Sequence, residues 1–400
     1  MKNLLKLTGL SLVAVTALSA GGYKIPEVST NGIALSAATV AHSHGADSAY
    51  YNPANMSFMV DEHNMELDLI YIGLDAVNFK GSGTQAGEDI DAETENFLIP
   101  SLNYVSPAIG DLRFGLSVSV PGGLTKRWKE SPAIESAEEF TLQVVEVNPT
   151  LAYKVNDKLA IAFGLRVIHS SGIVKSSAAA SRDLEGDSFD YGYNLALAYK
   201  PTKELEIGVT YRSNVDLTEE GNSKLYIGNT KVYDGGASVM VPLPALLNVA
   251  LAYTFDTKTT LEFVYERNFW SAYDRLDFDY TGSITNILVP SFDDPISKDW
   301  KDTSAYRLGI TQELDTVTFM AGMVYDESPV PDERVSFELP DSNSLSVSLG
   351  GQYKLNNAMS IGLSALYSMR ESRDVKNDDI EGTFSHSNVL IVSAGLGYKF

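Results

Sequence analysis

Nucleophilic or metal chemistry needs histidine, serine, cysteine or carboxylate groups gathered at short range, and this chain offers few of them. It has no cysteine and five histidines, His42, His44, His63, His169 and His386. No serine motif accompanies His169 or His386, so a Ser–His nucleophile is not expected. The His42-x-His44 pair brings no further ligands with it, which makes it a weak metal signal. Enzyme activity, a metal and a cofactor are therefore not expected. The acidic runs Glu88, Asp89, Asp91, Glu93, Glu95 and Asp378, Asp379, Glu381 lack the spaced ligands and glycine of a calcium loop, and read as solvated surface. Binding chemistry remains. Arg166, Arg212 and Arg307 lie on the polar phase of alternating segments, and Lys175 and Arg275 are further cations. Such groups either hold a ligand carboxylate or pair with a neighbouring acid. Arg166, Lys175 and Arg275, with the aromatic pair Tyr50-Tyr51, form the candidate ligand-binding set.

The elements that must position these groups are strands. From about Met65 to Phe400 the dominant period is two, the period of a strand with unlike faces. Leu345, Val347, Leu349 and Tyr353 alternate with Ser346, Ser348, Gly350 and Gln352; Leu390, Val392, Ala394, Leu396 and Tyr398 alternate with Ser393, Gly395, Gly397 and Lys399. Alternation alone fits a soluble sandwich or a membrane barrel. The connections separate the two. About 14 such segments are joined by connections that alternate short and long, as in outer-membrane barrels. Short ones include Asn156-Asp157, Pro201-Thr202, Asp315-Thr316 and Asn356-Asn357. Long ones are expected near 79–94, 122–139, 172–186, 214–236, 281–301, 327–343 and 370–386. Tyr104, Tyr153, Tyr199, Tyr253 and Tyr353 each precede a short turn, and Tyr398 precedes the C-terminal Phe400. An amphipathic ring at one membrane depth is an interfacial girdle. The expected fold is all-β, a transmembrane antiparallel barrel of about 14 strands. Its expected setting is the outer membrane of a Gram-negative bacterium, in contact with lipid and lipopolysaccharide, as a monomer. Lys+Arg 30 against Asp+Glu 52 leaves no basic footprint for nucleic acid.

The first 60 residues follow a different grammar. Lys2 and Lys6 precede the apolar stretch from Leu7 to Leu18, and the small residues Ala17 and Ser19 suit a signal-peptidase site. Residues 1–19 are expected to be a removable export signal. Residues 20–60 are rich in Ala, Ser and Gly, and their natural place is inside the barrel as a plug, or hatch, ahead of the barrel at 61–400.

Asn52-Pro53-Ala54, preceded by Tyr50-Tyr51, together with Val118-Ser119-Val120-Pro121-Gly122-Gly123-Leu124-Thr125 and the nearby Trp128, resembles the FadL/TodX family of outer-membrane transporters for long-chain fatty acids and other hydrophobic compounds. Val147-Asn148-Pro149, Pro242-Leu243-Pro244-Ala245 and Trp270-Ser271 extend the resemblance over the whole mature chain. The resemblance implies that Asn52, Pro53 and Ala54 end the hatch. It also implies that Pro121, Gly122 and Gly123 form an inward kink that opens the wall to lipid. Proline cannot donate to a ladder and glycine weakens one, so an interruption there is physically reasonable; the other reading starts an extracellular loop at Pro121. The chain departs from the family at two cations, where Ser171 and Asp277 stand in their places. The polar stretches near 176–186 and 216–236 also differ from the family's apolar outer groove. The expected function is passive diffusion of hydrophobic molecules, fatty acids or hydrocarbons, through a plugged barrel with a lateral opening. The alternative is a general porin for small hydrophilic solutes, which needs a charged eyelet and no plug.

Overall fold

The computed structural model describes residues 21–43 and 45–400; the expected export signal at 1–19 lies outside them. Fourteen antiparallel strands form a closed barrel. The first seven are β1 (Asn64–Leu74), β2 (Glu95–Val105), β3 (Leu112–Arg127), β4 (Glu139–Lys154), β5 (Leu159–Ser177), β6 (Ala180–Tyr199) and β7 (Leu205–Arg212, resuming as Val215–Ile227). The others are β8 (Thr230–Leu243, resuming as Ala245–Thr254), β9 (Thr259–Phe269), β10 (Thr303–Glu313), β11 (Val317–Asp326), β12 (Ser344–Lys354), β13 (Met359–Arg370) and β14 (Val389–Lys399). Closure is made by β1, whose Ile70 faces Ile99 of β2 on one side and Ser393 of β14 on the other. Closing the sheet leaves no edge strand unpaired, which membrane burial of a sheet requires.

Burial settles which solvent each face meets. In β1, Glu66 and Asp68 are 5% and 4% exposed, whereas Leu67 and Leu69 are 45% and 49% exposed. The same inversion runs round the barrel: Phe163, Leu195, Leu251, Phe263 and Leu308 point outward, and Asn148, Asn194, Glu262 and Arg307 point inward. A soluble sandwich places its apolar face inside; this molecule turns it to lipid. Tyr153, Tyr199, Tyr253, Tyr353 and Tyr398 all stand on the outer face near the short-turn end, as a girdle requires. Phe400 closes the chain against the His63 ring, with centroids 4.6 Å apart.

Three of the expected long loops are corrected. The stretches 172–186 and 214–236 are mostly strand, because β5 and β6 continue to Ser177 and Ala180, and β7 and β8 to Ile227 and Thr230. β3 likewise runs through Pro121 and on to Arg127. Strands of 19 and 20 residues in β5 and β6 far exceed the roughly 9–11 needed to span a bilayer, so these hairpins project beyond it. There water meets both faces, the apolar–polar alternation fades, and backbone pairing persists without it.

Residues 21–43 and 45–59 lie against the inner face of the wall. Two short helical turns, α1 (Thr30–Ala34) and α2 (Ser48–Tyr51), and a 3-10 turn Pro53–Phe58 bond to strands all round the wall. The Asp68 carboxylate of β1 accepts from Thr30 N at 3.2 Å and Oγ1 at 2.6 Å. Glu262 of β9 accepts from the backbone N–H groups of Val40, Ala41 and His42 at 2.6, 2.7 and 3.0 Å. Wall glycines admit the segment closely: a Cβ on Gly322 of β11 would lie 2.2 Å from the Leu35 carbonyl carbon.

Candidate functional site

The wall is interrupted beside the N-terminal segment. β2 and β3 pair from Val105/Gly115 only as far as Leu102/Val118. Against β4 the register of β3 shifts between Ser119 and Gly122. Proline lacks an N–H for the ladder, and the two glycines after it let the strand leave the sheet plane. The wall joins again higher up, where Glu93 N donates to Arg127 O at 2.9 Å and Arg127 forks onto Glu95 at 2.8 and 2.6 Å. Between these points the kinked backbone finds another partner. Ile25 N donates to Pro121 O and Gly123 N donates to Tyr23 O, each at 2.8 Å, so that Lys24 pairs with Gly122 as a single antiparallel bridge.

On its other side this short N-terminal strand meets β8 where that strand is broken. The Tyr23 hydroxyl donates to Pro242 O, and a Cβ on Gly122 would lie 3.1 Å from Leu243 Cδ1. Tyr23 also meets Trp270 edge-on, with centroids 4.8 Å apart. The structure thus gathers Pro121–Gly123, Pro242–Pro244 and Trp270 round Tyr23, though they lie far apart in sequence.

Two cavities flank that strand. The outer one is lined by Tyr23, Leu124, Phe140, Trp300, Val330 and Leu339, with Lys298 and Glu338 at its margin, and has room for about one water molecule. The inner one is lined by Ile25, Tyr50, Pro121, Arg166, Arg212 and Leu243. Arg166 and Tyr50 of the predicted set meet here, and Tyr51 and Pro53 line the adjoining space below. Lys175 and Arg275 stand elsewhere. Lys175 pairs with Glu139 at 3.3 Å high on β5, and Arg275 is largely exposed on a two-stranded loop sheet with Ile296–Ser297.

Buried charge holds the segment in place. Arg307 bonds Ser36 O at 2.8 Å, Glu266 at 3.2 Å and Glu27 at 3.3 Å, while Lys24 pairs with Glu266 and, at 3.1 Å, with Asp326. Glu146 of β4 is shared by Arg166, at 2.8 Å, and Arg212; the Arg212 guanidinium also lies 4.5 Å from the Tyr50 ring centre. Arg166 is therefore ion-paired within the protein, as are Arg212 and Arg307. Asn52 ties the 3-10 turn down, donating to Val40 O at 2.8 Å and Leu197 O at 3.2 Å and accepting from Ala54 N at 3.1 Å. Pro53 occupies the first position of that turn, where its missing N–H is harmless.

Tyr23, Lys24, Trp300, Lys298 and Glu338 were not anticipated. Their signal was faint: Lys24 and Glu27 are charges inside an otherwise small and apolar stretch, and Lys298 sits in a connection without periodicity. Burial raises the Glu338 carboxyl, but the adjacent Lys298 ammonium outweighs it and holds Glu338 below its usual value. A lowered acid stabilises the fold above its unfolded value and loses that contribution as pH falls through the folded one. Hydrogen exchange at Lys298–Trp300 should stay slow down to about pH 5 and quicken below the ordinary glutamate range near pH 4. Glu338→Gln should abolish that step; an unchanged step would assign it to another group.

A family profile described as outer membrane protein transport protein (OMPP1/FadL/TodX) matches residues 10–400. The chain belongs to the FadL/TodX family. It is a transport protein of the outer membrane, and the enzyme reading falls with that assignment. Among curated relatives of the family, the long-chain fatty acid transport protein of Escherichia coli O6:H1 is 24% identical, over 94% of this chain and 92% of its own. A FadL homologue of Pseudomonas aeruginosa shares the fold with a TM-score of 0.82 at 18% identity, covering 94% of this chain and 99% of that one. The Pseudomonas putida toluene transporter TodX gives 0.73 at 17% identity, covering 94% and 98%.

Proposed function

We propose that this protein takes up hydrophobic small molecules across the outer membrane by passive diffusion, with exit sideways through the interruption between β2 and β3. The observation that supports this reading most directly is the unpaired stretch of β3 at Pro121–Gly123, whose hydrogen bonds go to residues 23–25 of the luminal segment. An apolar solute that leaves through the wall never crosses an aqueous lumen. Residues 1–19 act in this reading as a removable export signal, 20–60 as the hatch and 61–400 as the barrel. Asn52, Pro53 and Ala54 anchor the hatch, and Pro121, Gly122 and Gly123 form the lateral opening. Tyr50, Tyr51 and Arg166 line the passage. The names of relatives, a long-chain fatty acid transport protein and a toluene transporter, support a cargo among fatty acids or hydrocarbons. The acidic outer loops face lipopolysaccharide, and the single closed barrel works as a monomer. A lumen filled by the chain's own segment counts against an open hydrophilic porin.

The test is uptake of labelled oleate and labelled toluene by a transporter-deficient strain that expresses the protein, beside a variant lacking Asn52–Ala54. Entry of either ligand well above the empty-vector rate, and altered by the deletion, is the expected result. Free passage of small sugars with no entry of either ligand would overturn the reading in favour of a porin.

A further inference from the structure

The wall has a second interruption, between β6 and β7. These strands pair from Tyr199/Ile207 up to Asn194/Arg212, and again from Asp187/Glu220 to Ala180/Ile227. Between the two runs, among the described residues, no ladder pair joins 188–193 of β6 to 213–219 of β7. The cause is one surplus residue: six positions on β6 face seven on β7, so the register that closes below cannot continue above. Phase shows the same surplus. Arg212 points inward, yet so do Val215, Leu217 and Glu219, which an unbroken strand would turn outward. At the lower lip Ser213 N donates to Tyr193 O at 2.9 Å and Tyr193 N to Ser213 Oγ at 3.0 Å.

Burial follows the gap. The inward row of β6 is closed off at Arg182 and Leu184 and again at Asn194 and Ala196, whereas Ser188, Asp190 and Gly192 between them are only half-buried. On the outer side Phe189 and Tyr191 are 65% and 74% exposed, more than any other aromatic ring among the described residues. Behind the gap the lining is apolar. Val215 and Leu217 of β7 and Ile168 of β5 belong to one buried cluster with Leu243 of β8 and Val120 at the kink of β3. Arg166, which lines the inner cavity, donates to Ser213 O at 2.6 Å, so that cavity adjoins the lower lip. Above, Glu219 reaches behind β6 into the space left by Gly172 of β5. Residues 188–193 stand well above Tyr199 of the short-turn girdle, in the outer part of a span of about 9–11 residues.

We propose that the gap between β6 and β7 is a second lateral opening, through which apolar molecules dissolved in the outer leaflet reach the inner cavity. The inference rests on the uptake reading and deepens it, adding an entrance from lipid to the exit at Pro121–Gly123. Its occupant is uncharged, since the path runs from lipid along Val215, Leu217 and Ile168, where a charge without a partner is costly to bury.

The test is photolabelling of the full-length protein in liposomes with a diazirine-bearing hexadecane, followed by peptide mapping. Ordinary lipid contact labels outward residues such as Phe189 and Tyr191 in any closed wall, so the inward row decides. Label is expected on Ser188, Asp190, Val215 and Leu217, while Ser346 and Ser364 on the inner face of the unbroken wall carry none. Deleting Asn214 removes the surplus residue and lets β6 and β7 pair throughout, leaving a bulge opposite Pro244 of β8, where proline is tolerated. The deletion variant, its folding checked by heat-modifiable migration, should lose that inward label and keep label at Val120–Leu124. Inward label that persists in the folded variant overturns the opening. So does wild-type label confined to the outward row of β6 and β7; with label present at Val120–Leu124, that result leaves the uptake reading standing. No label inside the wall at either place overturns both.

Discussion

Replacing Arg307 with methionine will release the N-terminal segment from the barrel and let small hydrophilic solutes through. Arg307 is 1% exposed and is the only described side chain that joins Glu27 of the segment, the Ser36 carbonyl and Glu266 of β9 at once. Methionine fills much of the same volume but leaves Glu27 and Glu266 to share the single ammonium of Lys24. Stripping one partner from a buried ion pair costs about 3–5 kcal/mol, because the remaining charge stays desolvated and unpaired. The segment is docked by a handful of such contacts, whereas the barrel is held by its full ladder. The loss should therefore fall on the segment first. Liposomes carrying the variant should swell in sucrose, those carrying the wild type should not, and protease should cut within residues 21–59 of the variant alone. Glu27→Gln keeps the Arg307–Glu266 pair and should show a weaker form of both effects. A variant that stays tight to sucrose would mean that the latch lies elsewhere, with Glu262 the next group to remove.

Covalently joining the segment to the kink will stop uptake reversibly. Lys24 and Gly122 face each other as a non-hydrogen-bonded antiparallel pair, since their flanking N–H groups carry the bonds, Ile25 N to Pro121 O and Gly123 N to Tyr23 O. In such a pair the Cα atoms lie about 4.5 Å apart, within the range a disulfide bridges. The chain has no cysteine of its own, so a Lys24→Cys, Gly122→Cys double variant forms that bond or none. If cargo leaves past Pro121–Gly123 only after residues 23–25 swing away, the oxidised variant should take up oleate at least about tenfold more slowly than the reduced one. A tenfold change corresponds to about 1.4 kcal/mol in the barrier. Each single-cysteine variant should be indifferent to reductant. Equal uptake by oxidised and reduced protein would show that the segment stays in place during transport, and cargo would then need a path that avoids the bridge.

Much of the architecture was readable in the chain because its causes are local. A strand that meets lipid on one face and polar lumen on the other must alternate, and β1, β12 and β14 do so residue by residue. The short turns and the tyrosines before them follow from the same boundary between lipid and water. Beyond the membrane that constraint vanishes. Hence the tops of β5–β8 read as polar loops although they are strands, since hydrogen bonding between backbones leaves no mark on side-chain type. Pro121 marked the weak point of β3 but left two readings open, a kink or a loop. Its outcome depended on Tyr23 and Ile25, nearly a hundred positions away, which accept and donate the bonds that the ladder gives up.

The binding groups show the same division. Arg166, Arg212 and Arg307 were placed on the inner face correctly by phase alone, yet phase says nothing of the neighbour across the lumen. Glu146 and Glu266 come from other strands, and their positions turn those arginines into structural ion pairs. By itself the sequence determined the strands, their facing and the place where pairing would weaken, since each of these is set by a residue and its immediate neighbours. Which charges are matched and which residues partner the interrupted stretch of β3 were decided by contacts between residues that the chain keeps far apart.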